Sequence, residues 1–366
     1  MSASPFEHPF LSGLLGDADV AAFFSVEADC RTMVAFEIAL AQAQGGAGVI
    51  PAEAARSIAA ALAGFSPDIE ALAAGVGRDG VVVPELVRQL RKAVGGDAAA
   101  LVHFGATSQD VVDTGLALRL KPLLAVLDAR LAAVATALQA LEDRDGAIEV
   151  MAHTRMQAAI PVPASRKIRS WADPLSRHRV RLEEVAADIG IVHYGGAAGT
   201  LEKLGDKADD VMRRLATLLD LKPVDRARHS ERDGIAGLAC WLSLVTGSLG
   251  KMGQDIALAA QSEVGEIKLS AGGGSSAMPH KVNPVGAEAL VTLARFNATL
   301  VAGVHQSLVH ENERSGAAWT LEWMLLPQML MACAAALRHA QALVGQVAFR
   351  PGKDRPKEAA AKDPLS

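Results

Sequence analysis

The chain has 366 residues, half of them hydrophobic, and a formal net charge of −5. That is ample apolar material for a sizeable core, in one large domain or two to three small ones. Acids and bases are mixed along it with no long basic run, which argues against a nucleic-acid partner. Aromatic residues are only 4%, and alanine and leucine dominate instead, a balance that favours closely packed helices over sheets. Cys30, Cys240 and Cys333 lie far apart and form no CxxC pair, as expected in a reducing cytosol. No basic stretch followed by an apolar run opens the chain, so no signal peptide is expected and the protein is assigned to the cytoplasm.

Residues 1–100 read as a small helical domain, with clear helical patterns at 26–44 and 52–63. Gly75-Val76-Gly77-Arg78-Asp79-Gly80 spells GxGxxG, with Asp97 at roughly the distance of a ribose-binding acid. A dinucleotide cradle needs a strand before it, and residues 69–74 read as helix, so the motif is set aside. From Ser108 the character changes. Leu116, Leu120, Leu123, Leu127, Leu131, Val134, Leu138 and Leu141 recur at spacings of three and four, a stripe that predicts one long helix to about Arg144. Pro122 should kink that helix or mark its true start. Further helices are predicted at 165–188, 231–269, 285–308 and 317–344. The uncharged run between Asp233 and Lys251 is broken by glycines and hydroxyls and falls short of the ~20 apolar residues of a membrane span. It predicts a buried bundle helix, and no membrane is implied. Strand alternation is almost absent. The expected fold is all-α: a long-helix bundle over 101–348, and a polar, proline-broken, disordered tail over 349–366.

The densest chemistry lies in Gly272-Gly273-Gly274-Ser275-Ser276-Ala277-Met278-Pro279-His280-Lys281-Val282-Asn283-Pro284. Three glycines make a permissive backbone, and the loop carries hydroxyls, a cation and an amide to one place. It has neither metal-ligand spacing nor a GxxxxGK[ST] phosphate cradle. The stretch resembles the GSSxMPxKxNP signature of the fumarase/aspartase superfamily and matches it at every fixed position. The resemblance implies β-elimination from carboxylate-bearing substrates, or the reverse addition, with neither cofactor nor metal. It places the proton-carrying hydroxyl at Ser275, with Ser276 as the alternative, and makes Lys281 its catalytic partner and Asn283 a substrate donor.

A second stretch, His103-Phe104-Gly105-Ala106-Thr107-Ser108-Gln109-Asp110, sits where the long helix should begin. Hydroxyls, an amide and free N–H groups at a helix start favour a carboxylate, and plain N-capping by Thr107 or Ser108 is compatible with that. It is similar to the superfamily's first signature region, and its GATSQD wording looks most like the bacterial 3-carboxy-cis,cis-muconate cycloisomerases. His103, Thr107, Ser108 and Gln109 are thereby implied as substrate-binding. A third, Met151-Ala152-His153-Thr154-Arg155-Met156-Gln157, resembles the second region, which in the lyases reads THxQ. Here Arg155 stands at the histidine position. Arginine cannot serve as a base near neutral pH, but it clamps carboxylates with two prongs. That departure counts against adenylosuccinate and argininosuccinate lyases, and leaves His153, Arg155 and Gln157 as substrate contacts.

Gly195-Gly196-Ala197-Ala198-Gly199-Thr200 resembles a segment of the same cycloisomerases and reads as structural. Asn312-Glu313-Arg314-Ser315-Gly316-Ala317-Ala318-Trp319 resembles their HERxxGxW pattern, with Asn312 in place of histidine. Arg314 is its anion-binding candidate, while Trp319 and Trp323 fit core packing. The resemblance runs from about His103 to Trp323 and implies a C-terminal region shorter than is usual. It further implies a homotetramer whose sites draw residues from different subunits, acting on a small polycarboxylate by lactone closure. The alternatives are a fumarate-releasing lyase and a non-catalytic helical scaffold.

Overall fold

A computed structural model describes residues 4–278 and 281–351. Two short helices, α1 (Ser12–Leu15) and α2 (Ala18–Ala21), lead into α3 (Val26–Gly46), α4 (Ala52–Leu62), α5 (Ile69–Asp79) and α6 (Val83–Val94). The starts are set by side-chain caps: Ser25 accepts from the Ala28 N–H, and Asp68 from the Ala71 N–H. The GxGxxG stretch forms the last turn of α5, ended by Gly80 at φ 72°. It is a helix C-terminus with left-handed glycine, not a phosphate loop.

The leucine stripe folds as α7 (Ser108–Asp145), which runs through Pro122 as one element. Then comes a departure from the all-helical expectation. β1 (Glu149–Thr154) and β2 (Gln157–Pro163) form an antiparallel hairpin over the third motif. Its alternation is hard to read because nearly all of β2 is exposed, so neither face carries an apolar code. The chain continues through α8 (Ser165–Ile189), α9 (Ala208–Leu219) and α10 (Asp233–Ala259). The helix expected to run to residue 269 stops ten residues early, and β3 (Ile267–Leu269) follows. After α11 (Val285–Gln306) and α12 (Gly316–Gln346), β4 (Val347–Phe349) pairs with β3. The tail expected to be disordered lies, from residue 352, outside the described residues.

Two apolar cores result. One gathers α3, α4, α6 and α9 around Phe36, Leu40, Ile58, Leu86 and Leu215. The other packs α7, α8, α10, α11 and α12 around Leu127, Leu131, Trp241, Leu290 and Ala336. α7 belongs to both: Val111 and Ala117 serve the first core, and Leu120 to Leu141 the second. Each fully buried leucine contributes about 1.5–3 kcal/mol, so the stripe fixes this helix as the spine of the molecule. α7, α10, α11 and α12 each contain a stretch that could cross a membrane by length and apolar composition. α10, the uncharged run, packs on α8, α11 and α12, but only 28% of the apolar stretch of α11 is buried within the chain.

Candidate active site

The site is built around the N-terminal end of α7. Thr107 is extended at φ −133° and ψ 164°, which breaks the backbone into the helix. Asp110, one turn on, accepts from the Thr107 N–H at 2.9 Å and is wholly buried. It also accepts from the Gly195 and Gly196 N–H groups at 2.9 and 3.0 Å, and meets His229 Nε2 at 2.7 Å. Such a carboxylate tolerates burial because its lone pairs are all used. The glycines are needed: a Cβ on Gly195 would lie 2.3 Å from Ala227, and one on Gly196 2.6 Å from the Gly105 carbonyl. The structural reading of the Gly195–Thr200 stretch therefore holds.

Beside it lies a buried ion cluster. The Arg232 guanidinium donates to Asp113 at 2.6 Å and to Glu322 through two bonds of 2.9 and 2.5 Å. Trp319 Nε1–H donates to Asp113 at 2.9 Å, so this tryptophan packs in the core and also completes the cluster. Burial alone would raise the Asp113 carboxyl, but the adjacent Arg232 charge and the donated hydrogen bonds hold it at about 2. His193 is held neutral, at about 4, chiefly by burial. Its backbone brackets Thr114 Oγ1, which donates to the His193 carbonyl and accepts from its N–H.

Gln109 departs from the expected role of substrate donor. It is fully buried and gives both amide hydrogens away, to Asp113 at 3.1 Å and to the His229 carbonyl at 2.8 Å. Its oxygen accepts from Arg314 Nε at 3.2 Å, so Gln109 links the ion cluster to Arg314 instead of facing a ligand. Arg314 also donates to the Gly196 carbonyl at 3.1 Å and lines an open cleft of about 860 Å³ with Asp79, Val81, Trp319 and Trp323. Thr107 and Ser108 are half-buried at the helix start. His103, at φ 65°, meets Glu37 of α3 through Nδ1 at 2.6 Å.

The other two regions are largely exposed, with Ser275 and Asn283 half-buried. In the glycine-rich loop, Gly273 and Asn283 exchange backbone bonds of 2.9 and 2.8 Å, and Asn283 Nδ2 donates to the Gly274 carbonyl at 3.2 Å. Cβ atoms on Gly272 and Gly273 would meet Asn283 O and Val285 at 2.6 and 2.5 Å, so glycine is what lets the loop close. Ser275 Oγ accepts from the Ala277 and Met278 N–H groups at 3.3 and 3.1 Å. Lys281 and Ser276 are exposed, and Pro279 and His280 lie outside the described residues. At the hairpin tip Arg155 and Met156 both take positive φ, 48° and 68°, the pattern of a two-residue type I′ turn. Neither is glycine or asparagine, so the turn is strained and throws Arg155 into solvent. His153, Arg155 and Gln157 are exposed. Among the described residues no hydrogen bond or ion pair joins them, or Ser275, to the α7 cluster.

A family model described as "Lyase" matches residues 18–298. The chain belongs to this lyase family, within the fumarase/aspartase superfamily. A 3-carboxy-cis,cis-muconate cycloisomerase of Bradyrhizobium diazoefficiens is 38% identical over 335 residues, covering 90% of this chain and 74% of that protein. The crystal structure of a 3-carboxy-cis,cis-muconate lactonizing enzyme from Pseudomonas putida superposes with a TM-score of 0.86 at 35% identity, over 92% of this chain and 76% of that one. An N-acetyl-S-(2-succino)cysteine lyase of Enterococcus italicus is 34% identical, over 85% of this chain and 69% of its own length. The all-α, long-helix fold is that of the family.

The sequence motifs assign no role to Glu37, Asp110, Asp113, His229, Arg232 or Glu322, although Asp110 stands within the GATSQD stretch. Their charged partners lie 66 to 119 residues away, so no local motif displays the pairings. One signal was present: Glu37 falls between Met33 and Leu40, and Asp113 between Val111 and Leu116, acids standing inside apolar helical stripes. Such residues are buried, and a buried acid needs a partner.

Proposed function

We propose that this chain is a 3-carboxy-cis,cis-muconate cycloisomerase of protocatechuate catabolism. The observation that carries the reading is the Ser275 hydroxyl, held on a glycine-built loop by two backbone N–H groups, in a chain with such relatives. A free serine hydroxyl is far too weak an acid or base at neutral pH, and amide donors aimed at its oxygen favour the alkoxide. In the reaction one carboxylate oxygen of the substrate adds to a carbon of a C=C bond. A C–O bond forms, the π pair moves onto the neighbouring carbon and its carboxylate, and one proton is delivered to that carbon. Redox state is unchanged, so the chemistry requires no electron carrier.

Ser275 moves the proton, assisted by Lys281. Thr107, Ser108 and the first-turn N–H groups of α7, with Arg155, Gln157 and Asn283, steady the extra negative charge in a closed site. Arg314, tied to Gln109, and His153 complete the anion-binding rim. Among the described residues no hydrogen bond or ion pair joins hairpin, loop and helix start within one chain, which supports a site assembled between copies. The uncovered apolar face of α11 supports a homotetramer, acting in the cytoplasm on a small polycarboxylate. An ultraviolet assay of 3-carboxy-cis,cis-muconate consumption is the test. Wild type turns the compound over, and Ser275→Ala loses roughly 10²–10⁴-fold or more in kcat. Folded wild-type protein without turnover rejects the assignment. The 34%-identical Enterococcus lyase keeps a second reading, release of fumarate from a succinyl adduct, which a fumarate assay separates.

A further inference from the structure

Glu37 lies on α3 within the face that carries Met33, Phe36 and Leu40, and its side chain is 1% exposed. One oxygen, Oε1, meets His103 Nδ1 at 2.6 Å, while Oε2 is buried without a hydrogen-bond partner among the described residues. A buried carboxylate satisfied on one oxygen alone needs a neighbour of balancing charge. His103 is that neighbour. Its ring is 15% exposed, and its Nε2 has no hydrogen-bond partner among the described residues. Its backbone is held at φ 65°, an arrangement that costs about 1–3 kcal/mol and persists at sites where it serves function. The residue stands four positions ahead of Thr107, on the loop that enters α7.

We propose that Glu37 is a positioning residue for His103, fixing its Nδ1 side and holding the ring as an imidazolium whose Nε2–H donates to a substrate carboxylate. Three charged groups on three elements face this imidazole: Glu37 on α3, Asp110 on α7 and Arg91 on α6. Burial alone would favour the neutral ring, Glu37 and Asp110 favour the cation, Arg91 opposes it, and the balance lies above the ordinary histidine value. The substrate class rests on the cycloisomerase reading; the pairing with Glu37 does not.

The test is a histidine titration of the full chain, labelled with [13Cε1]histidine, without substrate, the His103 signal being assigned with His103→Gln. The wild-type ring should titrate above about 6.5, and in Glu37→Gln about one pH unit or more lower, with Glu37→Asp retaining most of the elevation. Adding tricarballylate, a saturated tricarboxylate, should raise the wild-type titration further. In the cycloisomerase assay Glu37→Gln should raise KM about tenfold and move the alkaline limb of kcat/KM to lower pH. A wild-type His103 titrating at or below 6.5 overturns the proposal, whether or not the Glu37 variants fold. So does a titration unmoved in Glu37→Gln, and an absence of any tricarballylate effect overturns the donor role. Since the titrations contain no muconate, their failure leaves the substrate assignment standing, and loss of turnover leaves the pairing standing.

Discussion

The start of α7 and the glycine-rich loop before α11 hold similar polar side chains in opposite surroundings. At the helix start Asp110, Asp113, Arg232 and Glu322 are all buried and are closed by a lattice of donors from four parts of the chain. On the loop and the β1–β2 hairpin, Lys281, Arg155 and Gln157 stand in solvent and are held only by the local backbone. The first region is finished within one chain, so its geometry is paid for by folding. The second is unfinished and costs little to fold, which leaves its donors free for a ligand. Stability and chemistry are therefore expected to separate by region.

Breaking the buried side should have the largest effect. Arg232→Met strands Asp113 and Glu322 without their shared cation, and should cost about 3–5 kcal/mol of stability, read by chemical denaturation, with activity falling only as the folded fraction falls. A variant that unfolds at the wild-type denaturant midpoint would refute the role given to this cluster.

Acid should sharpen the same contrast. His193 is neutral in the fold to about 4, against about 6.5 when unfolded. Its contribution is complete above pH 6.5 and is lost as pH falls towards 4, on the order of 3 kcal/mol. Asp113, held at about 2, contributes above roughly pH 3.9 and loses that contribution below it. His103, raised instead, stabilises with the opposite sign, most fully below about 6.5. Melting temperature should therefore decline between pH 6.5 and 4, and His193→Gln should flatten that decline; an unchanged slope would count against a buried neutral ring.

The smallest effect on stability belongs to the exposed side. Arg155→Gly removes the proposed carboxylate clamp and relieves the strained turn at φ 48°. KM should rise about 10-fold or more, equivalent to about 1.4 kcal/mol, while the melting temperature stays level or rises. A large loss of stability without a change in KM would reverse the assignment of the hairpin.

Most of the fold was legible. The leucine spacing from 116 to 141 located α7, and the uncharged run from Asp233 located α10, because a 3.6-residue period survives wherever one helix face is buried. The hairpin was not legible, since β2 buries almost nothing. Nor was the end of α10, because residues 267–269 are apolar enough to extend a helix and become a strand only by pairing with Val347–Phe349. Of the candidate site residues, Ser275 and Thr107 lie in short motifs that the sequence displays, and their roles remain proposals. The motif points to Gln109 as a ligand donor, whereas its burial is set by bonds to Asp113 one turn on and to the distant His229 carbonyl, which the motif wording does not reveal.

By itself the sequence determined the helical periods, the caps and the glycine-rich loop, since each depends on residues within a turn or two of one another. Only the tertiary structure decided that Asp113 meets Arg232 and Glu322, that Asp110 meets Gly195 and His229, and that Glu37 meets His103. Those pairings join residues far apart in the chain, and a buried charge finds its partner through the packing of whole helices, which no local pattern encodes.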